Sequence, residues 1–357
     1  MKPDTITELE PILLAAAERT AGRQPWTVGS AGEPVYDPDL ETLRQLLTVP
    51  MTAQATTQSG RLAKAFDAWL AHELRRAGFS PDEVWPRLTQ PRVLTSELAQ
   101  VERAIAALVD QLDKVEARQG DTKILGWAGL RSAVQKAQKS LPTTSASNIL
   151  GRFYVKQVDV AVSSWDRGPD VLISGKTMFS SYGKNTKNRY EETLGEAVNL
   201  RDRHPLAAMG YAFIVSVKIF DEQGAYARLQ DLLRRTRKPD GPYDATLLLV
   251  ADWDATTDSL VIKDSDEAPD LGAAPFFGDL LNAVITNTPV GIHQAVRESR
   301  DGKAPTGGAP NPMADAADAA DAAKAKQKAA DQPEDEHDEA DEPLGDQEPD
   351  DAMLDPQ

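Results

Sequence analysis

An α/β protein is predicted from this sequence: a mixed β-sheet flanked by helices, an all-helical domain before it and a disordered acidic tail after it. Three observations predict it. Apolar residues recur at helical spacing through the first 140 residues, short β-rich runs alternate with helical patterns from about 150 to 263, and apolar residues thin out after 301. The expected domains are 1–145, 146–300 and 301–357. A chain of 357 residues with 41% hydrophobic residues has room for real cores and is neither wholly disordered nor fibrous.

In the first segment, Arg61 to Ala77 places Leu62, Ala65, Phe66, Trp69, Leu70 and Leu74 on one helical face and stops at Gly78. Thr95 to Gln119 repeats apolar positions at Leu98, Val101, Ile105, Leu108, Leu112 and Val115. Both are amphipathic and need a surface to pack against, so this half reads as a helical bundle. Its expected roles, from architecture alone, are dimerisation or target recognition.

After the polar break Pro142 to Asn148, the pattern becomes strand-like. Phe153 to Ser163 and Asp170 to Met178 flank the turn composition Trp165-Asp166-Arg167-Gly168-Pro169 and read as a β-hairpin. A turn centred between Asp166 and Arg167 pairs residues whose numbers sum to about 333, which puts Asp159 opposite Ser174, with Lys176 on the same face. A helix is expected from about Asn188 to Arg203, a buried strand at Ala207 to Phe220 and a helix at Gly224 to Arg237. Strands are then expected at Ala245 to Trp253 and Ser259 to Lys263.

The formal charge is −17, but residues 301–357 hold 17 acids and 4 lysines, leaving only −4 for the rest. Residues 131–190 carry ten basic and three acidic side chains, a plausible phosphate-facing region. The tail reads as disordered and solvating, or as a mimic of DNA charge. With no cysteine, disulfides and thiolate chemistry are excluded, and four scattered histidines argue against a histidine-rich metal site. The longest apolar stretch, Leu206 to Val217, is short of a membrane span, and a cytoplasmic protein is expected. Sequence patterns for P-loop ATPases, HExxH metalloproteases and GxSxG hydrolases are missing.

A strand carboxylate facing an x-Gly-Lys on the next strand suits metal-dependent phosphodiester cleavage. The acid holds a divalent cation, and the ammonium stabilises phosphoryl charge or orients water. The span Val158 to Gly210 also resembles the PD-(D/E)xK nuclease core, most closely that of XhoI-type restriction endonucleases. The resemblance rests on the strand ending in x-Lys176, the run Ser180-Ser181-Tyr182-Gly183-Lys184-Asn185, and Asn188-Arg189-Tyr190-Glu191-Glu192. It covers about fifty residues and implies a restriction-endonuclease-like core and a Mg²⁺- or Mn²⁺-dependent hydrolase of restriction or phage-defence type. The implied partners are double-stranded DNA, a second copy of the chain, and a cognate methyltransferase or defence complex.

Ser174 stands where the family has Glu or Asp two residues before the lysine. A hydroxyl lacks the negative charge a divalent ion prefers. Three readings follow: the site is inactive, an acid is supplied from elsewhere, or Asp170 serves instead. Some restriction endonucleases of the Ser-x-Lys type take the acid from the following helix. That implies Glu191 or Glu192, with Glu191 slightly preferred although Asn188-x-x-Glu191 also fits a capping box. Asp170, six residues before Lys176 on the same strand, lies roughly 20 Å away and reads as a turn or strand-start residue.

The expected site is therefore Asp159 and Glu191 as metal ligands, Lys176 as the charge-stabilising lysine and Ser174 as a supporting hydroxyl, with Glu192 as the alternative acid. Lys184, Asn185, Lys187, Asn188 and Arg189 are the expected DNA contacts. A second basic cluster, Arg234, Arg235, Arg237 and Lys238, reads as favourable charge at a helix C-terminus or as an extension of the phosphate-binding face. The rival reading is an inactive nuclease-fold protein that binds DNA or serves assembly.

Overall fold

The computed structural model describes residues 5–56, 59–87, 96–119, 127–140, 147–164, 167–239, 241–264 and 267–303; for 5–7, 96–103, 115–116, 118–119, 137–140 and 183–192 it describes the backbone alone. The described residues fall in one compact unit. Residues 304–357, all but the first three of the expected disordered tail, lie outside the described residues.

Helix α1 (Thr5–Thr20) is followed by a small hairpin of β1 (Trp26–Val28) and β2 (Pro34–Tyr36), then α2 (Leu40–Thr52) and α3 (Arg61–Arg76). The short strand β3 (Val84–Trp85) precedes α4 (Ser96–Gln119) and α5 (Trp127–Ser140), which pack on each other. The N-terminal segment is thus not all-helical as expected. Its β3 forms the edge of the main sheet, and α3 packs on β6 and β7 of that sheet. The reason is visible in α3, where every residue from Ala65 to Leu74 is buried. A helix buried on all sides must lie inside a larger core rather than on a bundle surface.

Strands β4 (Ser147–Leu150) and β5 (Val155–Val158) form a separate antiparallel pair. The main sheet continues with β6 (Val160–Ser164), β7 (Gly168–Met178), β8 (Ala208–Ser216), β9 (Ala245–Asp254) and β10 (Ser259–Lys263). Its order is β10-β9-β8-β7-β6-β3, with β7, β8 and β9 mutually parallel and the outer pairings antiparallel. Antiparallel β6 and β7 are in the expected register, Val160 opposite Ile173, Ala161 opposite Leu172 and Val162 opposite Val171. The register slips by one at Ser163, opposite Pro169.

Two expectations are corrected here. The run Phe153 to Ser163 is two strands, because the chain leaves one sheet and enters the other at Asp159. The helix expected from about Asn188 starts six residues earlier, within the run Ser180 to Asn185: α6 spans Tyr182–Arg201. Gly183 falls in the first turn, where backbone N–H groups lack helical partners anyway, and Tyr182 anchors the turn by burying its ring in the core. Asn188 is therefore an interior helical position and does not cap the helix.

The expected strand at Ala207 to Phe220 ends at Ser216 in a 3₁₀ turn (Val217–Asp221). Helix α7 (Ala225–Thr236) follows, and α8 (Ala273–Asn287) and α9 (Gln294–Arg300), not anticipated from sequence, close the described chain. Among the described residues, no helix is long and apolar enough to cross a membrane.

One face of the sheet buries Leu172, Tyr211, Phe213 and Val215 with Ala197 and Leu200 of α6 and Leu229 and Leu233 of α7. Toward α8, Gly210 leaves room for the Phe276 ring. Phe277 joins the N-terminal segment to this layer: its ring meets Tyr36 at 5.1 Å and Trp69 at 5.5 Å. Replacing Phe277 by Ala is expected to cost about 3–5 kcal/mol by urea denaturation, since both segments lose the shared contact.

Candidate functional site

Asp159 sits in the kink between β5 and β6. Its Oδ2 accepts the Gly175 N–H at 2.9 Å, so a side chain occupies a hydrogen-bonding position next to the end of the β6–β7 ladder. The same oxygen lies 3.6 Å from Lys176 Nζ. Lys176 Nζ donates to Ser174 Oγ at 2.9 Å, as the two-residue repeat of a strand requires for side chains on one face. Ser174 Oγ in turn lies 3.4 Å from Glu196 Oε1 of α6, and the other Glu196 oxygen is 2.8 Å from Lys156 Nζ of β5.

The structure therefore brings Asp159, Ser174 and Lys176 together and adds Glu196 and Lys156. Glu191 and Glu192 lie on α6, five and four residues before Glu196. Their side chains, and those of Lys184, Asn185, Lys187, Asn188 and Arg189, lie outside the described residues.

Glu196 was legible in principle. Thr193, Ala197 and Leu200 form a buried helical stripe, and Glu196, 4% exposed, falls within it. An acid on a buried stripe needs a partner to offset its desolvation, and Lys156 supplies one.

Gly175 points to the other face of the sheet, where α3 crosses it. A Cβ there would meet Asp67 Oδ1 at 2.7 Å, so the missing side chain is what lets α3 bring Asp67 against β7. Asp67 is 2% exposed and its Oδ1 has no hydrogen-bond partner; Oδ2 is 3.7 Å from Lys64 Nζ. Burial, reinforced by the nearby charge of Asp159, pushes the Asp67 carboxyl well above the ordinary carboxylate range.

Asp170 is remote from this chemistry in its contacts. It accepts from Arg167 at 3.3 Å and lies 3.0 Å from His293 Nε2, the residue that precedes α9, and Arg167 also pairs with the half-buried Glu83. Each residue of the Arg234–Lys238 cluster has an acidic partner: Arg234 pairs with Asp270, Arg235 with Asp231, Arg237 with Asp279 and Lys238 with Asp244.

Among the described residues, no group of three or more His, Asp or Glu side chains is arranged to hold a metal ion. No known protein family, curated protein or solved structure matches the chain.

Two predictions follow from this geometry. Gly175→Ala is expected to lower the thermal midpoint and displace Asp159, because the new methyl must share space with the Asp67 carboxyl. For Asp67, the folded-state pKa lies above the unfolded one, so its neutral form stabilises the fold at low pH and that contribution is lost as pH rises above the unfolded value. Asp67→Asn is therefore expected to raise the midpoint at pH 8 relative to wild type, with the difference shrinking toward pH 4, as followed by thermal melts across that range.

Proposed function

We propose that this chain is a Mg²⁺-dependent endonuclease of restriction or phage-defence type that hydrolyses phosphodiester bonds in double-stranded DNA. The observation that carries the proposal is the unbroken line Asp159, Lys176, Ser174, Glu196, with successive separations of 3.6, 2.9 and 3.4 Å. It draws on the β5–β6 kink, strand β7 and helix α6. The layout is similar to that of the Ser-x-Lys nucleases in drawing an acid from the helix after the strand; Glu196 lies further along that helix than the expected Glu191 or Glu192, whose side chains lie outside the described residues.

The donor set suits the ion. Mg²⁺ takes hard oxygen ligands, commonly one or two carboxylates, and keeps several waters. Asp159, a quarter exposed, and Glu196 would hold it; the Ser174 hydroxyl lies between Lys176 and Glu196 and orients both. When bound, the ion supplies Lewis-acid polarisation of the scissile phosphate. Lys176 supplies a fixed positive charge for the phosphoryl oxygens as negative charge builds on them. Lys156 holds Glu196 in place from the neighbouring strand. Two copies would be needed to cut both strands at once.

One observation favours the rival, a nuclease-fold protein that binds DNA or serves assembly without cutting. Among the described residues Lys176 pairs with Asp159, a cation already beside the acid that would hold the metal.

Cleavage of supercoiled plasmid with Mg²⁺ or Mn²⁺ separates the two. Nicking or linearisation by wild type is expected, reduced about 10²–10³-fold in Lys176→Ala and in Glu196→Gln. Equal activity in wild type and Lys176→Ala would defeat the assignment. Duplex binding without cleavage, gaining cleavage in Ser174→Glu, would establish the rival.

A further inference from the structure

Lys156 lies outside the span that carries the nuclease resemblance, yet its ammonium reaches into the site. Its Nζ stands 2.8 Å from Glu196 Oε2, with the lysine side chain 24% exposed and the glutamate 5%. The strand that carries it is fixed to the same helix as its partner. Asn199, one turn after Glu196 and fully buried, accepts from the N–H groups of Phe153 and Tyr154 at 2.8 and 3.2 Å and donates to the Tyr154 carbonyl at 3.1 Å. The Arg152 N–H donates to the Asn199 carbonyl at 2.8 Å, and a Cβ on Gly151 would lie 2.1 Å from Asn199 Nδ2, so glycine is what allows this approach. β5 leaves that clamp at Val155, and Lys156 is its second residue.

The charges then balance. Among the described side chains, each acid of the site stands beside one lysine, Asp159 3.6 Å from Lys176 and Glu196 2.8 Å from Lys156. From α3, behind Gly175, the buried Asp67 is held toward its neutral form and lies 3.7 Å from Lys64, so this helix adds no negative charge. Two acids offset by two ammonium groups have no net charge with which to draw in a dication, and at partly buried positions water screens the lysines' repulsion poorly. A phosphodiester brings the missing negative charge, and its oxygens are charge-assisted acceptors for either ammonium.

We propose that Lys156 is a counter-ion that holds Glu196 in the metal's stead, so that the site takes up Mg²⁺ tightly only together with a phosphate of the duplex. The metal is that of the endonuclease reading, on which this inference rests. By linkage, metal and duplex then raise each other's affinity by the same factor. A lysine that merely kept Glu196 in place would act with the opposite sign: its loss would weaken metal binding, whereas loss of a counter-ion strengthens it.

The test measures Mn²⁺ uptake by the full chain, from the electron paramagnetic resonance signal of the free ion, with and without a short duplex whose own uptake is subtracted. The Asp159→Asn/Glu196→Gln variant supplies the background from all other acids. Wild type is expected to bind Mn²⁺ about tenfold more tightly with duplex than without. Lys156→Gln is expected to bind it about tenfold more tightly than wild type in the absence of DNA, with a smaller gain from duplex, and Lys156→Arg to behave as wild type.

Equal or weaker DNA-free binding in a folded Lys156→Gln would overturn the proposal, and nicking of plasmid by wild type would leave the endonuclease reading standing. If Lys156→Gln melts below the assay temperature, the wild type decides: a Mn²⁺ affinity that the duplex leaves unchanged overturns the proposal too. No uptake above background by any of these proteins, with or without duplex, together with no nicking, would sink the endonuclease reading and this inference with it.

Discussion

The site depends on a single hydrogen bond made where a strand changes sheets. β5 belongs to the small β4–β5 pair, β6 to the six-stranded sheet, and the residue between them, Asp159, is in neither. Such a kink leaves β7 beside a stretch without ladder partners, and the Asp159 carboxylate takes the Gly175 N–H instead. A charge-assisted bond of this kind is about twice as strong as a neutral one and costs little desolvation at a partly exposed position. It fixes the acid one residue from Ser174 and one from Lys176. Without it, the acid would have no reason to lie within reach of the lysine.

Alternation along β7 then distributes the charges. Ser174 and Lys176 face α6, and Gly175 between them faces α3. The glycine is what allows two charged layers to approach one strand from both sides: Glu196 from α6, and Asp67 from α3 with only backbone between it and the site. A buried acid lacking a full set of partners costs several kcal/mol if ionised. Asp67 is accordingly held toward its neutral form. Glu196 is offset differently, by Lys156 from the strand that leads into the kink. The two sides of β7 thus solve the same electrostatic problem by protonation and by pairing.

The β6–β7 register was legible because alternating apolar residues flank a turn of unmistakable composition, and a pleated strand permits only one register that buries them. The kink was not. Val158-Asp159-Val160 continues the alternation, and a change of sheet leaves no local signature when both sheets want the same apolar face. The start of α6 was misplaced for a related reason. Gly183, Lys184, Asn185 and Asn188 have loop composition, yet the first helical turn tolerates them, and burial of Tyr182 decides the boundary. Moving the start to Tyr182 places the helical acid that meets Ser174 at Glu196, one turn beyond Glu192. Asp67 was hidden by treating α3 as amphipathic: its apolar face was identified correctly, but tertiary contacts bury the opposite face too.

Salt bridges that merely hold a fold and those that leave charge for use differ in geometry. Arg201 with Asp244, Arg234 with Asp270, Arg235 with Asp231 and Lys238 with Asp244 meet their carboxylates at 2.6 to 2.8 Å, which leaves little positive potential for an incoming anion. Among the described residues, Lys176 donates at 2.9 Å to the uncharged Ser174 hydroxyl and stands 3.6 Å from Asp159. Its side chain is only about one-sixth exposed, so water screens little of its charge. A phosphate oxygen is the kind of group that completes such an environment. Ser174 in place of a carboxylate therefore has a physical effect beyond the loss of a charge: among the described residues it gives the lysine a neutral oxygen as a hydrogen-bond partner and puts Glu196 of α6 on the far side of that hydroxyl.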